Sequence, residues 1–243
     1  MKLTVLLVLL SCLLKGQMDS AFALPLIGIN FGGHIPMGDL SNRFGPNLAA
    51  GGAVMYKTKK NWILGLESNY LFGRNVREDV LLQLKTVNNT VMDNDGFPAD
   101  IRVSERGLGI HFTFGRVFKF FSSNPNSGLM ICFGGGYLQH KINLYDAQQR
   151  IAAIKGELKY GYDRLSNGFS INQFIGYLFL SENRLLNFYF GFEGFEAFTK
   201  SVRKLNYDTG LADTKQRLDL LYGFKIGWIL PLYKKRPNDF YYN

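Results

Sequence analysis

The last regular stretch of the chain, residues 218–232, constrains the fold more than any other. Every second residue in it is large and apolar, whereas the residues between are mostly small or polar. A β-strand places alternate side chains on opposite faces, so this stretch predicts a strand with one apolar face and one tight, partly polar face. The large residues are Leu218, Leu220, Tyr222, Phe224, Ile226, Trp228, Leu230 and Leu232.

Seven earlier stretches show related alternation, with apolar and aromatic residues on one face and mostly glycine and small polar residues on the other. An aromatic share of 15% together with 27 glycines favours a barrel, in which rings cover the outside and glycines let strands crowd inside. The sequence therefore predicts an all-β fold, an eight-stranded antiparallel up-and-down transmembrane β-barrel over residues 18–233. The predicted strands are 27–35, 48–56, 62–72, 107–120, 128–144, 168–180, 185–198 and 218–232.

The predicted connections alternate between long and short along the whole chain. Outer-membrane barrels have short periplasmic turns and longer external loops, so the alternation predicts an outer-membrane protein with both barrel termini in the periplasm. The structural alternative is a soluble barrel that holds a ligand and turns its apolar face inward. The connections are 36–47, 57–61, 73–106, 121–127, 145–167, 181–184 and 199–217.

The two ends of the chain lie outside the predicted barrel. Residues 1–17 combine a lysine, an apolar run and a short polar end, which predicts a cleaved signal peptide. Cleavage after Ala23 and a lipoprotein attached at Cys12 are the alternatives. Residues 234–243 are basic and aromatic, and are predicted to form a periplasmic tail.

Polar side chains on the second face of the strands are expected to point into the lumen. The interior of an eight-stranded barrel is just wide enough to be filled by side chains, and buried charges need partners. We therefore predict a packed polar network, with a narrow polar pore as the alternative. The network residues are Glu67, His111, Glu193, Asp219 and Lys225, with His34 and Lys119 also on this face.

The sequence predicts no catalytic group, no cofactor and no metal site. The three histidines lie on different predicted strands without a linked motif. Residues 93–96 read Asp-Asn-Asp-Gly, which fails the spacing of a calcium loop and indicates a turn. The net charge of +9 is scattered, which favours solvated turns and loops over nucleic-acid binding. Attraction to anionic lipid headgroups is a second explanation. A lipid-modifying enzyme inside the barrel is the catalytic alternative.

The connection 73–106 is too long for a plain connector and contains several apolar residues. Long loops of this kind are usually functional or disordered, and the apolar residues argue against disorder. We expect the loop to fold over the barrel mouth or to dock a protein partner. Candidate partner contacts are Val80, Leu81 and Leu84 in this loop and Phe240, Tyr241 and Tyr242 in the tail.

The end of the last strand carries a recognisable pattern. Lys225, Gly227, Leu230 and Leu232 resemble the β-signal that the barrel assembly machinery reads: a polar residue, a glycine and two hydrophobic positions. This resemblance implies that the assembly machinery is a partner during biogenesis.

The chain as a whole resembles the small outer-membrane β-barrels of Bacteroidota, of the OmpA/OmpX-like eight-stranded type. The segments GHIPMGDL at 33–40, YKTKKNW at 56–62 and GWILP at 227–231 carry the similarity. Such barrels include PorG-like accessories of the type IX secretion system. The resemblance implies a non-enzymatic anchor or subunit of a larger envelope complex, in secretion or protein assembly. A small outer-membrane channel is the alternative.

Overall fold

The structure is a computed structural model that describes residues 21–120, 122, 124–181 and 186–232. Eight antiparallel strands form a closed ring in which each strand pairs with its neighbours in sequence and the last pairs with the first. None of the helices in these residues is long and apolar enough to cross a membrane. The strands are β1 Leu24–Gly38, β2 Asn47–Lys57, β3 Trp62–Gly73, β4 Ile101–Phe118, β5 Gly128–Asp146, β6 Ser166–Leu180, β7 Asn187–Ser201 and β8 Gln216–Pro231.

The structure confirms the predicted eight-stranded up-and-down barrel. The largest difference in strand bounds lies at β4, which begins at Ile101 rather than at residue 107. β3 ends at Gly73, which pairs with Glu105, whereas residues 101–104 continue beyond that point and pair with β5. The predicted signal peptide 1–17 and tail 234–243 lie outside the described residues.

The large apolar side chains point outward. On β8, Phe224 is 63% exposed and Ile226 is 56% exposed, whereas Lys225 between them is 4% exposed. This pattern excludes the soluble alternative, in which the apolar face would line the lumen. An apolar outer surface around a lumen that holds the buried charges is the arrangement of a barrel that sits in lipid. We call this outer surface the apolar belt.

The strands are strongly tilted relative to the barrel axis. From Ile27 on β1, a walk through the paired residues of all eight strands returns to β1 at Met37, ten residues further on. Such a stagger in a closed barrel accompanies a strand tilt of about 40°. Residues that pair across neighbouring strands therefore lie progressively nearer the long-loop end of the barrel from β1 to β8.

The half of the lumen next to the short turns is filled by apolar side chains. Tyr189 packs so closely on Gly227 that a Cβ atom there would lie 2.3 Å from its ring, which explains the glycine. At the end of this core the buried ammonium of Lys57 donates to Asn126 Oδ1 at 2.8 Å and to the Phe22 carbonyl at 3.3 Å. Other members of the core are Leu24, Leu26, Met55, Ile63, Val117, Met130, Phe174, Leu178 and Ile229.

The long loops fold together into a cap over the other end of the barrel. We define the cap as residues 39–46, 74–100, 147–165 and 202–215, which include helix α1 (Leu40–Arg43) and three short 3₁₀ turns. Its apolar core is continuous with Phe195 and Leu221 of the upper lumen. Of the two alternatives for the connection 73–106, the structure shows folding over the mouth. The cap core contains Leu40, Phe44, Val80, Leu81, Val91, Ile151, Ile154 and Tyr162.

Candidate functional site

The middle of the lumen holds a connected set of buried polar side chains. Lys225 Nζ donates to Glu67 Oε1 at 2.7 Å and also contacts the carboxylate of Glu193. Glu67 Oε1 accepts further hydrogen bonds from Asn69 Nδ2 at 2.8 Å and from Asn30 Nδ2 at 3.3 Å. We call these five residues the lumen network. They come from β1, β3, β7 and β8, so the network crosses the lumen from wall to wall.

Two aromatic rings and a histidine pack around the lumen network. His34 Nε2 lies 3.3 Å from Glu193 Oε2. The rings of Phe174 and Tyr189 lie 5.1 Å and 5.9 Å from Lys225 Nζ, close enough for cation–π attraction. One ammonium thus meets two carboxylates and two rings in a space shielded from water. The arrangement fits the packed network that the sequence predicts rather than a pore.

The other two predicted network residues lie in separate clusters. His111 Nε2 is 2.5 Å from Ser170 Oγ. Asp219 accepts hydrogen bonds from His140 Nε2 at 2.8 Å and from the Thr199 hydroxyl. The predicted network residues therefore belong to three polar clusters, not one, because residues far apart along tilted strands lie at different heights.

One residue that the sequence placed in the lumen lies elsewhere. Lys119 follows the end of β4 and is exposed, so its assignment to the interior is wrong. The predicted strand ran to residue 120, and the strand that forms ends at Phe118. Alternation inside a strand says nothing about a side chain once the strand has ended.

A second ionic group holds the cap together. Glu78 accepts from Arg43 Nε at 2.8 Å and from Arg164 Nε at 2.6 Å, and Arg164 also contacts Asp208. Arg43 Nη1 reaches the Arg164 carbonyl and Ser166 Oγ, both at 3.1 Å. We call Arg43, Glu78, Arg164 and Asp208 the cap latch. It joins all four loops of the cap.

The electrostatics of the cap latch favour the charged carboxylate. Burial opposes the negative charge of Glu78, but the attraction of Arg43 and the hydrogen bonds from Arg164 and Arg43 outweigh it. The pKa of Glu78 therefore lies below its usual value of 4.5. The latch stays ionic at neutral pH.

The apolar residues proposed as partner contacts in the loop are mostly covered. Val80 is 1% exposed and Leu81 is 4% exposed, because both belong to the cap core, and Leu84 packs against that core. In this conformation Val80 and Leu81 stabilise the cap and offer little surface to another protein. The tail candidates Phe240, Tyr241 and Tyr242 lie outside the described residues.

The same loop carries other apolar side chains that do face solvent. Leu82 is 65% exposed, Phe97 is 64% exposed and Val87 is fully exposed. The sequence pattern did not separate these residues from their buried neighbours, because the loop has no regular period. We call Leu82, Val87 and Phe97 the apolar tip.

The residues of the predicted β-signal occupy both faces of β8. Lys225 and Gly227 are buried on the lumen side, and Leu230 and Leu232 are exposed in the apolar belt. Recognition of this strand by the assembly machinery stays a prediction.

A polar cluster on the outer face of the barrel was not predicted from the sequence. Glu196 Oε1 accepts from Tyr222 Oη at 2.8 Å and from Gln173 Nε2 at 3.2 Å, and all three side chains are partly exposed. Glu196 has the same strand parity as the outward-facing Phe192 and Phe198. Its position two and four residues from outward-facing phenylalanines could have predicted from the sequence that Glu196 faces outward.

The described part of the chain contains no cluster of potential metal ligands, and its three histidines do not lie together in one site. No group of three or more potential metal ligands occurs there. The three histidines have different lumen partners, as described above. The Asp93 carboxylate accepts from the backbone of Asp95 at 2.9 Å and of Phe97 at 2.8 Å, which is the geometry of a turn.

The closed ring, the apolar belt and the filled lumen define the class of this protein: a small transmembrane β-barrel with eight strands. No family model matches the chain, and no curated protein matches it. The fold class thus follows from the strand pairing and from the distribution of side chains.

Solved structures of other membrane barrels are similar at a low level. Neisserial surface protein A is 10% identical, with a TM-score of 0.40 over 84% of this chain and 97% of its own. The attachment invasion locus protein Ail of Yersinia pestis is 11% identical, with a TM-score of 0.37 over 86% and 99%. The TodX monoaromatic hydrocarbon channel, as its deltaS2 mutant, is 8% identical, with a TM-score of 0.27 over 88% and 68%. Similarity at this level carries no functional argument.

Proposed function

We propose that the protein is a non-enzymatic outer-membrane barrel that anchors a folded cap at the cell surface as a subunit of a larger envelope complex. The barrel supplies a rigid mount in the membrane, and the cap supplies the contact surface. The resemblance to Bacteroidota barrels suggests secretion or protein assembly as the process. The observation that carries the proposal is the cap, whose four loops share a buried core and an ionic latch.

Two features support an outer-membrane location with the cap outside. A closed barrel satisfies every backbone hydrogen bond within itself, so it can span a bilayer without a helix. Barrels of the outer membrane place long loops outside and short turns in the periplasm. The alternation of long and short connections matches that orientation.

The filled lumen does not favour the alternative of a small channel. An apolar core, the lumen network and the cap core follow one another along the barrel axis. An ion would have to displace Lys225 from both carboxylates and then cross an apolar layer. We expect no open-channel steps in planar bilayers at neutral pH.

The apolar tip is the surface that best fits a protein partner. Exposed apolar side chains on a loop that otherwise packs into the cap core favour contact with another protein. Leu82, Val87 and Phe97 all belong to the loop between β3 and β4. The partner contact is therefore proposed at the tip rather than at the buried Val80 and Leu81.

Purification of the tagged protein in mild detergent tests the proposal. Proteins that co-purify with the wild type are identified by mass spectrometry and compared with those of the variant L82S/V87S/F97S. We expect the variant to lose its partner while it keeps the heat-modifiable migration of a folded barrel. The control L205S/L211S changes exposed apolar residues of another cap loop and should retain the partner.

Retention of the full set of co-purifying proteins by the tip variant would contradict the proposed contact. A wild-type protein that purifies alone at native expression would contradict the role as a complex subunit. Conductance steps that Lys225→Met alters would favour the channel. A change in membrane lipids on deletion of the protein, observed by mass spectrometry, would favour the lipid-modifying alternative.

A further inference from the structure

A cleft opens on the outside of the barrel wall at the end nearer the long loops, where the sheet changes height. β3 ends at Gly73, which pairs with Glu105, whereas β4 continues to Ile101 and pairs there with β5. The start of β4 and the end of β5, which pair with each other, therefore extend beyond the end of β3. This difference in strand length leaves a cleft of about 850 Å³. Binding pockets for small ligands occupy roughly 300–1,000 Å³, so the cleft has room for one.

Three arginines line this cleft, which we call the arginine cleft. They are Arg74, directly after the end of β3, and Arg102 and Arg106 on β4. Among the described residues that line it, none is acidic. The carboxylate of Glu105 is fully buried and is held by Asn47 Nδ2 at 3.0 Å, so it points away from the guanidinium groups.

The existing contacts of the arginines leave their charge available. In the part of the chain that the structure describes, Arg74 makes no ion pair or side-chain hydrogen bond. Arg102 Nε lies 4.0 Å from Asp100, with both side chains largely exposed, and such pairs are weak. Arg106 Nη1 donates to the Glu105 carbonyl at 3.0 Å, which leaves the guanidinium positive. Its other N–H groups have no acceptor among the described residues and can donate to a ligand.

The polarity of the cleft changes along the barrel axis. Leu48 pairs with Phe72, and Phe72 pairs with Arg106, so the upper edge of the apolar belt adjoins the first arginine directly. Leu48 and Phe72 form the apolar side of the cleft, and Arg106 and Arg102 follow each other up β4 on the same outward face. A lipid has the same order of chemistry, with acyl chains below a charged headgroup.

We propose that the arginine cleft binds the phosphorylated headgroup of a lipid in the membrane leaflet that surrounds the long-loop end of the barrel. The guanidinium groups hold the phosphate oxygens, and the acyl chains lie against Leu48 and Phe72. Arginine suits this role because its planar fork pairs with two phosphate oxygens at once and stays charged at every relevant pH. The site is separate from the apolar tip and does not depend on a protein partner.

Native mass spectrometry of the detergent-purified full chain tests this site. The probes are lipid A with two phosphates and the same lipid after removal of its phosphates. We expect the wild type to retain the phosphorylated lipid, with affinity that falls as salt rises. In R102Q/R106Q the loss of two charge-assisted contacts should weaken retention by about tenfold or more.

A matched control separates the cleft from general charge. The variant K155Q/K204Q also removes two positive charges from exposed cap loops but lies outside the cleft, and it should retain the lipid as the wild type does. Heat-modifiable migration on gels confirms that every variant is folded.

Three results would overturn the assignment. The first is lipid retention that falls no further in R102Q/R106Q than in K155Q/K204Q. The second is equal affinity for the dephosphorylated lipid. The third is complete competition by inorganic pyrophosphate or by a poly-glutamate peptide at concentrations equal to that of the lipid, because either would place a soluble anion in the cleft without need of the apolar wall.

Discussion

The lumen network and the cap latch are built from the same kinds of side chain but stabilise different parts of the molecule. In the lumen network a single cation, Lys225, meets two carboxylates that project from neighbouring and opposite walls of a closed ring. In the cap latch Glu78 meets two arginines that project from loops, and one of them, Arg164, also contacts Asp208. The first is buried among strands, and the second retains 31% exposure at the Glu78 side chain.

The comparison shows where each region takes its rigidity. Around the lumen network the backbone is already fixed by continuous strand pairing, so the ions fill and close a space that exists without them. The cap has little regular structure, and its loops depend on side-chain contacts to stay together. Loss of the network should therefore destabilise the barrel, whereas loss of the latch should loosen the cap alone.

The largest expected loss of folding stability comes from Lys225→Met. It leaves the buried carboxylates of Glu67 and Glu193 without their cation, which typically costs about 3–5 kcal/mol. The free energy of unfolding in urea, measured in lipid vesicles, should fall by that amount, and Lys200→Met at the exposed end of β7 should have little effect. Addition of Glu193→Gln should recover part of the loss; a strictly additive double variant would mean that the two groups are not coupled.

The next effect contrasts the outer surfaces of the two regions. Phe224→Arg places a charge in the apolar belt and should cost roughly 2–4 kcal/mol, the range for a cation near the bilayer midplane of a barrel. Leu211→Arg makes the same change at a cap residue that is 69% exposed and should be tolerated. Equal stability of both variants in vesicles would refute the placement of the belt in lipid.

A smaller effect is expected from Glu78→Ala. Two buried arginines lose charge-assisted hydrogen bonds but keep other acceptors, so the local cost should be about 2 kcal/mol. Hydrogen exchange of residues 74–100 should rise while the barrel strands stay protected. The neighbouring pair of Asp79 with Lys85 is more exposed, so Asp79→Ala should change exchange much less. Uniform exchange of cap and barrel in Glu78→Ala would remove the distinction between them.

The smallest effect concerns pH. Because the pKa of Glu78 is lowered in the folded cap, its charge stabilises the cap above pH 4.5, and that contribution is lost as pH falls through the lowered pKa. Protease cleavage within residues 74–100 should increase between pH 5 and pH 3, by up to about tenfold for each unit by which the pKa is lowered. Glu78→Gln should flatten this dependence. An unchanged pH profile in Glu78→Gln would assign the effect to other carboxylates.

The sequence predicts the barrel well and the cap poorly, for one physical reason. Period-two alternation assigns each residue of a strand to a face, so Glu67, Glu193 and Lys225 could be placed in the lumen before any contact was known. It does not give the stagger of ten residues, and without the stagger Asp219 and His111 could not be separated from that group. No period exists in the loops, so burial of Val80 beside an exposed Leu82 depends on partners in other loops.

The contacts of Arg43 also set an order for assembly. This arginine lies between the first two strands, whereas its acceptors, the Arg164 carbonyl and Ser166 Oγ, lie at the start of the sixth. A partly assembled barrel in which β6 has not yet paired has no binding site for that guanidinium, and its loops cannot yet exclude water. Surface epitopes on the mature cap are consequently reporters of completed insertion, and an antibody that requires them would distinguish finished molecules from stalled ones.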